Sequence, residues 1–301
     1  MSLRHHPLHE GSLLRIACVC CTPDHAGCGA LEHAGRDSLA LPLRGVFVKH
    51  HEGGAEVVAH AGQALFFNAD EGYRVSHPAG GDDCLTLEAA DPLLRELLAR
   101  FDAPAAERER HPFRATHASL PAAAALQRGL LWHALRHGGP TLEIETRALD
   151  LFAAALAHAR PQAPHDEPRG PRARRRRREQ AQAVALRLAA QPERDWSLDA
   201  LARQVAASPF HLARGFRATM GEPIHRYLLR VRLVRALDAV LDSSAPLAAI
   251  ALDLGFATPS HFAEAFRRAY GCAPSALRRQ ARAAQVRALR KIPTAPRRGA
   301  G

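Results

Sequence analysis

Residues Ser208–Gly221 read SPFHLARGFRATMG, and fifty positions later Thr258–Gly271 read TPSHFAEAFRRAYG. The alignment pairs Pro209 with Pro259, His211 with His261, Leu212 with Phe262 and Ala213 with Ala263. It goes on to pair Phe216 with Phe266, Arg217 with Arg267 and Gly221 with Gly271. The preceding segments match at an offset one shorter, with Leu198, Leu201, Ala202 and Val205 set against Leu247, Ile250, Ala251 and Leu254. A fixed period of this kind marks a duplicated supersecondary unit.

Each copy reads as helix, short turn, helix. Ser208 and Thr258 carry hydroxyls suited to accept from the free amides of the next helix, and proline at the first helical position loses no hydrogen bond there. Gly221 and Gly271 suit the left-handed residue that ends a helix. In the first copy, Trp196 precedes a Ser197 cap and is placed to staple onto Leu201. Apolar residues recur four apart, Leu212 with Phe216 and Phe262 with Phe266, and should face a core. The opposite faces then present Phe210, Ala213, Arg214 and Arg217 in one copy. The other presents Ser260, His261, Ala263, Glu264, Arg267 and Arg268. Small side chains allow close approach to a major groove, and arginine forks onto guanine or phosphate, so the expected partner is double-stranded DNA. Between the copies, about Pro223 to Leu241 predicts one helix carrying Arg226, Arg230, Arg232 and Arg235. Its 19 or so residues span roughly 28 Å. Adjacent major-groove faces lie about 34 Å apart, so such a helix suits two readers on neighbouring turns.

Charge divides the chain in the same way. Residues 1–160 carry 15 basic and 19 acidic side chains, whereas residues 161–301 carry 26 and 11, a surplus of +15 that fits a polyanionic partner. With 301 residues, 47% hydrophobic, the chain can bury more than one core and is not a disordered protein. No apolar run approaches the 18 or so residues of a membrane span, so no membrane partner is expected. The apolar run Leu13–Cys21, interrupted by Arg15, is too short for a secretory core. Six cysteines in a chain that folds without staples point to a reducing compartment, the cytoplasm.

The N-terminal half has a different grain. Short apolar runs at Arg15–Cys21, Gly45–His50, Glu56–His60, Gln63–Phe67, Tyr73–Ser76 and Cys84–Leu87 predict an antiparallel barrel or sandwich. Leu93–Phe101 predicts a helix. Pro121–His137 and Leu142–Ala159 predict a helical hairpin, whose Ala- and Leu-rich faces, Leu131 and Leu135 among them, are expected to build a homodimer. The division that follows is residues 1–160 for sensing and dimerisation, a basic Pro- and Arg-rich linker at 161–178 containing the run Arg174–Arg178, a DNA-binding domain at 179–282, and a basic tail at 283–301.

The segment from about Glu179 to Arg279 resembles the double helix-turn-helix domain of AraC-type transcription regulators. The resemblance is carried by Leu198, Ala202, Ser208, Pro209, His211, Leu212, Arg214 and Phe216. In the second copy it is carried by Ile250, Ala251, Gly255, Phe256, Ser260, His261, Phe262, Phe266, Arg267, Gly271, Pro274 and Arg278. It implies base contacts from Phe210, Ala213 and Arg214, and from Pro259, Ser260, His261, Ala263 and Glu264. Two positions depart from the pattern: Gly215 lies inside a recognition helix, costing about 1 kcal/mol relative to Ala, and Glu264 stands where Arg is frequent. Gly45, His50, Glu56, Gly62 and the run Gln63–Pro78 resemble, more loosely, the cupin-like sensor domain of such regulators. The implied fold is α+β: an N-terminal cupin-like β-barrel or sandwich with a helical hairpin, then an all-α domain of two helix-turn-helix units. The implied function is transcription regulation controlled by a small-molecule effector, with activation or repression left open.

Two other constellations carry metal-ligand residue types. Cys18, Cys20, Cys21 and Cys28, with His25 and His33 nearby, invite a metal or thiol-sensor reading, but the spacing has no paired CxxC and buried cysteine is an ordinary small hydrophobe. His50, His51, Glu56, His60 and His77 are the ligand types of a metal-dependent cupin enzyme with an accessory DNA-binding domain, the rival reading. Adjacent His50 and His51 must point to opposite faces of a strand, which breaks that ligand set. The sequence therefore predicts no enzyme, no metal and no cofactor. Among the remaining basic and aromatic groups, His211 reads as a packing residue, and the Arg174–Arg178 run as a solvated linker.

Overall fold

The computed structural model describes residues 2–52, 54–159 and 170–290. Its N-terminal half contains strands β1 Ser2–Glu10, β2 Leu14–Thr22, β3 Glu32–His33, β4 Ser38–Arg44, β5 Phe47–His51, β6 Glu56–Ala59, β7 Gln63–Phe67, β8 Gly72–Ser76, β9 Asp82–Ala89 and β10 His117–Ser119. Helices α1 Asp91–Phe101, α2 Ala103–Ala106, α3 Ala122–Arg136 and α4 Thr141–His158 belong to the same half. Beyond residue 169 come α5 Pro171–Ala190, α6 Leu198–Gln204, α7 Pro209–Met220, α8 Ile224–Asp242, α9 Leu247–Asp253, α10 Pro259–Tyr270 and α11 Pro274–Arg290.

The strands form two antiparallel sheets, ordered β1-β2-β9-β4-β7-β10 and β3-β8-β5-β6. Period-two alternation sends successive side chains to opposite faces. Leu39 and Leu41 of β4 join Leu14, Ile16, Leu85 and Leu87 beneath α1, α3 and α4. Ala40, between them, joins Phe47, Val57, Ala59, Leu65 and Cys84 in the layer between the sheets. The expected antiparallel architecture is present, with two additions. Polar β1 pairs along β2 as the sheet edge. Strand β4 carries Pro42 in an interior position, where the register with β9 shifts between Pro42 and Arg44. That irregularity is what lets a residue without an N–H sit inside a sheet.

The hairpin expected to dimerise is consumed within its own chain. Leu131 of α3 and Leu151, Phe152 and Ala155 of α4 are fully buried against the larger sheet, and Leu135 packs on the same cluster. On its other side, α3 places Ala125 among residues of α8 and α10. Charged replacements at Leu131 and Leu135 would therefore damage a core rather than divide a dimer.

The helical half has two small cores. Val184, Ala185 and Leu188 of α5 meet Leu201, Leu212, Phe216, Tyr227 and Val231 in the first. Leu237, Val240, Ile250, Phe256, Phe262, Phe266 and Leu277 form the second. Helix α8 runs through both. The linker reading is corrected from Pro171 onward: Arg174–Arg178 lie within α5, as arginine's good helix propensity and proline at the first position favour. Residues 161–169 of that segment and 291–301 of the tail lie outside the described residues. Gly215 also finds its reason here, because a Cβ at this position would stand 2.9 Å from Arg177 Cγ. The glycine lets α5 lie close against α7.

Two histidines tie stability to pH. His60 is 1% exposed, with its Nδ1 accepting from the Gly62 amide and its ring edge-on to Tyr227. Burial, with Arg230 and Arg235 nearby, holds its pKa well below the ordinary range. Burial likewise lowers His117 to about 4. The unfolded chain takes up both protons near pH 6.5 while the native chain refuses them, so stability is lost as pH falls below that value. For His117 the gap corresponds to on the order of 3 kcal/mol by pH 4. Urea unfolding at pH 7.5 and 4.5 measures it; equal midpoints would contradict the assignment.

Candidate nucleic-acid interface

The recognition helices are built by the same local devices. Ser208 Oγ accepts from the His211 amide at 3.3 Å and Thr258 Oγ1 from the His261 amide at 3.1 Å. Gly221 (φ 78°) and Gly271 (φ 74°) close the helices in the left-handed region, each donating its amide to the carbonyl of Arg217 or Arg267. Leu212 and Phe216 of α7 are buried, as are Phe262 and Phe266 of α10. Phe210 is 70% exposed, and Arg214, Arg217, Pro259, Ser260, His261, Glu264, Arg267 and Arg268 are also exposed, with Ala213 and Ala263 half-buried. Every side chain expected on the two outer faces thus lies there or at its margin. His211 is corrected: it is exposed, with Nδ1 2.7 Å from Ser208 Oγ and its ring edge-on to Phe210. An open groove of about 1020 Å³ runs past Trp196, Phe210, Ala213, Arg214, Arg217 and His225.

The face of α10 is not simply repulsive to phosphate. Glu264 accepts from Arg268 one turn on, so the carboxylate is compensated within the helix. Other arginines of the basic half are spent on structure. Arg232 donates to the carbonyls of Pro192 and Arg194, Arg235 to Ala189, and Arg278 to Val240 and Ala245. Net charge therefore overstates what these residues offer to a polyanion.

Sequence reasoning missed the contact between the two halves. Arg128 of α3 is fully buried, and its Nη2 donates to both carboxylate oxygens of Asp238 of α8, 2.8 Å to each. His133 Nδ1 lies 2.8 Å from Asp242 Oδ1, with Arg136 at 3.4 Å from the other oxygen. Burial pushes the Asp242 carboxyl up, but these partners prevail and hold it below the usual carboxylate range. Arg230 donates to the Gly62 carbonyl and Gln182 to that of Glu56. Gly129 permits the close crossing of α3 over α8, since a Cβ there would meet Leu241 and Leu237 at 3.0 to 3.2 Å. These pairs join residues 106 to 168 positions apart, and no local pattern announces them.

Nor does the structure assemble the histidine set of a cupin enzyme. His50 faces Glu56 and Ser76, while His51 faces Glu71. His60 packs toward the helical half. Buried Lys49, also unanticipated, donates to the Phe66 carbonyl at 2.8 Å and stands 3.6 Å over the Phe67 ring; burial lowers its pKa to about 8. Among the described residues, the groups with converging ligand atoms are Cys21, His77 and Asp82, and His133, His137 and Asp242. No helix among the described residues is long and apolar enough to cross a membrane.

Residues 201–280 match the family model of a helix-turn-helix domain. Three curated relatives align over 86 to 89 residues. An uncharacterized HTH-type transcriptional regulator of Haemophilus influenzae is 33% identical over 30% of this chain and 30% of its own length. A Streptomyces antibioticus protein named "Putative AraC-like transcription regulator" is 36% identical over 29% of each chain. The regulatory protein PocR of Salmonella typhimurium is 33% identical over 29% of this chain and 28% of its own. The match thus spans under a third of the length of these relatives.

Proposed function

We propose, from the AraC-type helix-turn-helix domain that residues 201–280 form, that the protein is a DNA-binding transcription regulator whose N-terminal half responds to an effector. The observation that carries this reading is the duplicated outer face: Phe210, Ala213, Arg214 and Arg217 on α7, and Pro259, Ser260, His261, Ala263, Glu264, Arg267 and Arg268 on α10, held on one 19-residue helix. Arg214 is the residue to read a base pair, by a bidentate bond to guanine. The cupin-like N-terminal half acts through its contact with α8, so an effector that alters this contact alters how α7 and α10 are presented to DNA in the cytoplasm.

Full-length protein should bind duplex DNA with log affinity falling linearly in log salt, with a slope near −0.9 per phosphate neutralised. Arg214→Ala should cost about 1–3 kcal/mol and relax preference at one base pair, measured on a randomised site library. Salt-independent binding, or an unchanged preference in the variant, would reject the assignment. Glu264→Ala tests the second helix: a carboxylate that reads cytosine loses one position of preference, whereas one serving only Arg268 leaves the preferred sequence unchanged. A homodimer on paired sites is tested by sedimentation; Leu142, 77% exposed at the start of α4, is the apolar side chain the hairpin leaves outside its own core.

A further inference from the structure

Cys21, one residue before the end of β2, lies directly opposite Asp82, the first residue of β9, so their side chains share one face of the larger sheet. Two positions along β9 on that face is Cys84, which belongs to the layer between the sheets. Strand β8 of the opposing sheet ends at Ser76, and His77 follows it. The residues between His77 and Asp82 turn the chain back, and glycine is required there: a Cβ on Gly81 would stand 2.5 Å from the Cys21 carbonyl oxygen. Three elements from two sheets thus bring a thiol, an imidazole and a carboxylate to within 4.8 Å of one another.

The surroundings suit a ligand set. Cys21, His77 and Asp82 are 7%, 3% and 8% exposed. His77 Nε2 comes within 2.8 Å of Asp82 Oδ1, yet no aligned N–H···O joins them, and Oδ1 is without a hydrogen-bond partner among the described residues. A buried carboxylate oxygen in that state costs free energy unless a cation satisfies it. The other oxygen, Oδ2, accepts from Cys84 at 3.3 Å, which orients the carboxylate from behind as outer partners of metal ligands do.

We propose that Cys21, His77 and Asp82 bind a zinc-class divalent transition-metal ion, and that this ion is the effector of the N-terminal half. The second clause rests on the regulator reading above; the first does not. Sulfur and imidazole nitrogen select against magnesium and calcium, which take oxygen ligands. Around a tetrahedral ion with bonds of 2.0–2.3 Å, ligand atoms stand about 3.4–3.6 Å apart. Opening the 2.8 Å approach of His77 to Asp82 by under about 1 Å admits the ion. As the metal–sulfur bond forms, the Cys21 thiol proton leaves to solvent; the imidazole binds neutral and no electron is transferred.

The test is a cobalt titration of full-length protein freed of metal by a chelator, followed by zinc competition. One equivalent of Co²⁺ should give a thiolate-to-cobalt charge-transfer band that Zn²⁺ abolishes. Cys21→Ser should lose the band, and Asp82→Asn should weaken binding at least tenfold. His137→Ala, at the other convergent cluster, should keep the band. Absence of the band in the wild type, or its persistence in Cys21→Ser, overturns the site whatever the stability of the variants. DNA affinity separates the two clauses: a tenfold shift on adding Zn²⁺, lost in Cys21→Ser, supports the effector role. Stoichiometric zinc with unchanged affinity overturns that role alone, and absence of DNA binding with or without zinc overturns the regulator reading.

Discussion

Arg128→Met should destabilise the protein by about 3–5 kcal/mol, the loss expected when one partner of a buried ion pair is removed and the other is left behind. Arg128 is fully buried, and both of its bonds to Asp238 cross from α3 to α8. Burial already pushes the Asp238 carboxyl above its ordinary value, with Arg128 pulling it down. Without the arginine, burial alone acts on that carboxyl, whose side chain is 25% exposed, and it rises further. A group whose folded pKa is raised gives stability at low pH that is lost as pH rises through that value, so the deficit relative to wild type should be larger at pH 8 than at pH 5. Removing both partners, Arg128→Met with Asp238→Leu, should recover most of the loss. Urea unfolding of the wild type, Arg128→Met, Asp238→Leu and the double variant gives the coupling directly. In the single variant the two halves should separate into two transitions, because α3 against α8 is the main seam between them; one cooperative transition at the wild-type midpoint would show that the pair contributes nothing to docking.

What the sequence made legible follows the range of the interactions involved. Caps, proline starts and left-handed glycines act within a few residues, so Ser197, Ser208, Thr258, Gly221 and Gly271 are found in their expected roles. The core face of each recognition helix is equally local, a spacing of four. Strand β4 was hidden because Pro42 argues against an interior strand, and only the irregular register with β9 explains its tolerance. The hairpin differs: its apolar faces are legible, but sequence cannot say whether a second chain or a distant helix covers them. Here α8 and the larger sheet do. Cys21, His77 and Asp82 show the same limit. Reading the turn from His77 to Asp82 is within reach of sequence, whereas placing Cys21 beside them needs the pairing of β2 with β9.

Phe266→Ala should cost about 3–5 kcal/mol and disable the second recognition helix in preference to the first. Phe266 is fully buried between Phe262 and Tyr270, its ring edge-on to theirs at 5.6 and 4.6 Å. The three rings sit in the core that holds α9, α10 and α11 to the end of α8. The equivalent residue of the first unit, Phe216, sits in a separate core against Tyr227 at 5.5 Å. Each alanine therefore opens a cavity under one recognition helix only. On a DNA site occupied by both units, Phe266→Ala should lose protection over the half read by α10 while the half read by α7 stays covered, and Phe216→Ala should do the reverse. Phe266→Leu leaves a smaller void and should retain both halves with weaker binding. Footprinting of the three variants decides it. If Phe216→Ala and Phe266→Ala erase the whole footprint alike, α8 transmits the damage from one core to the other, and the two units act as one body instead of two readers on a shared axis.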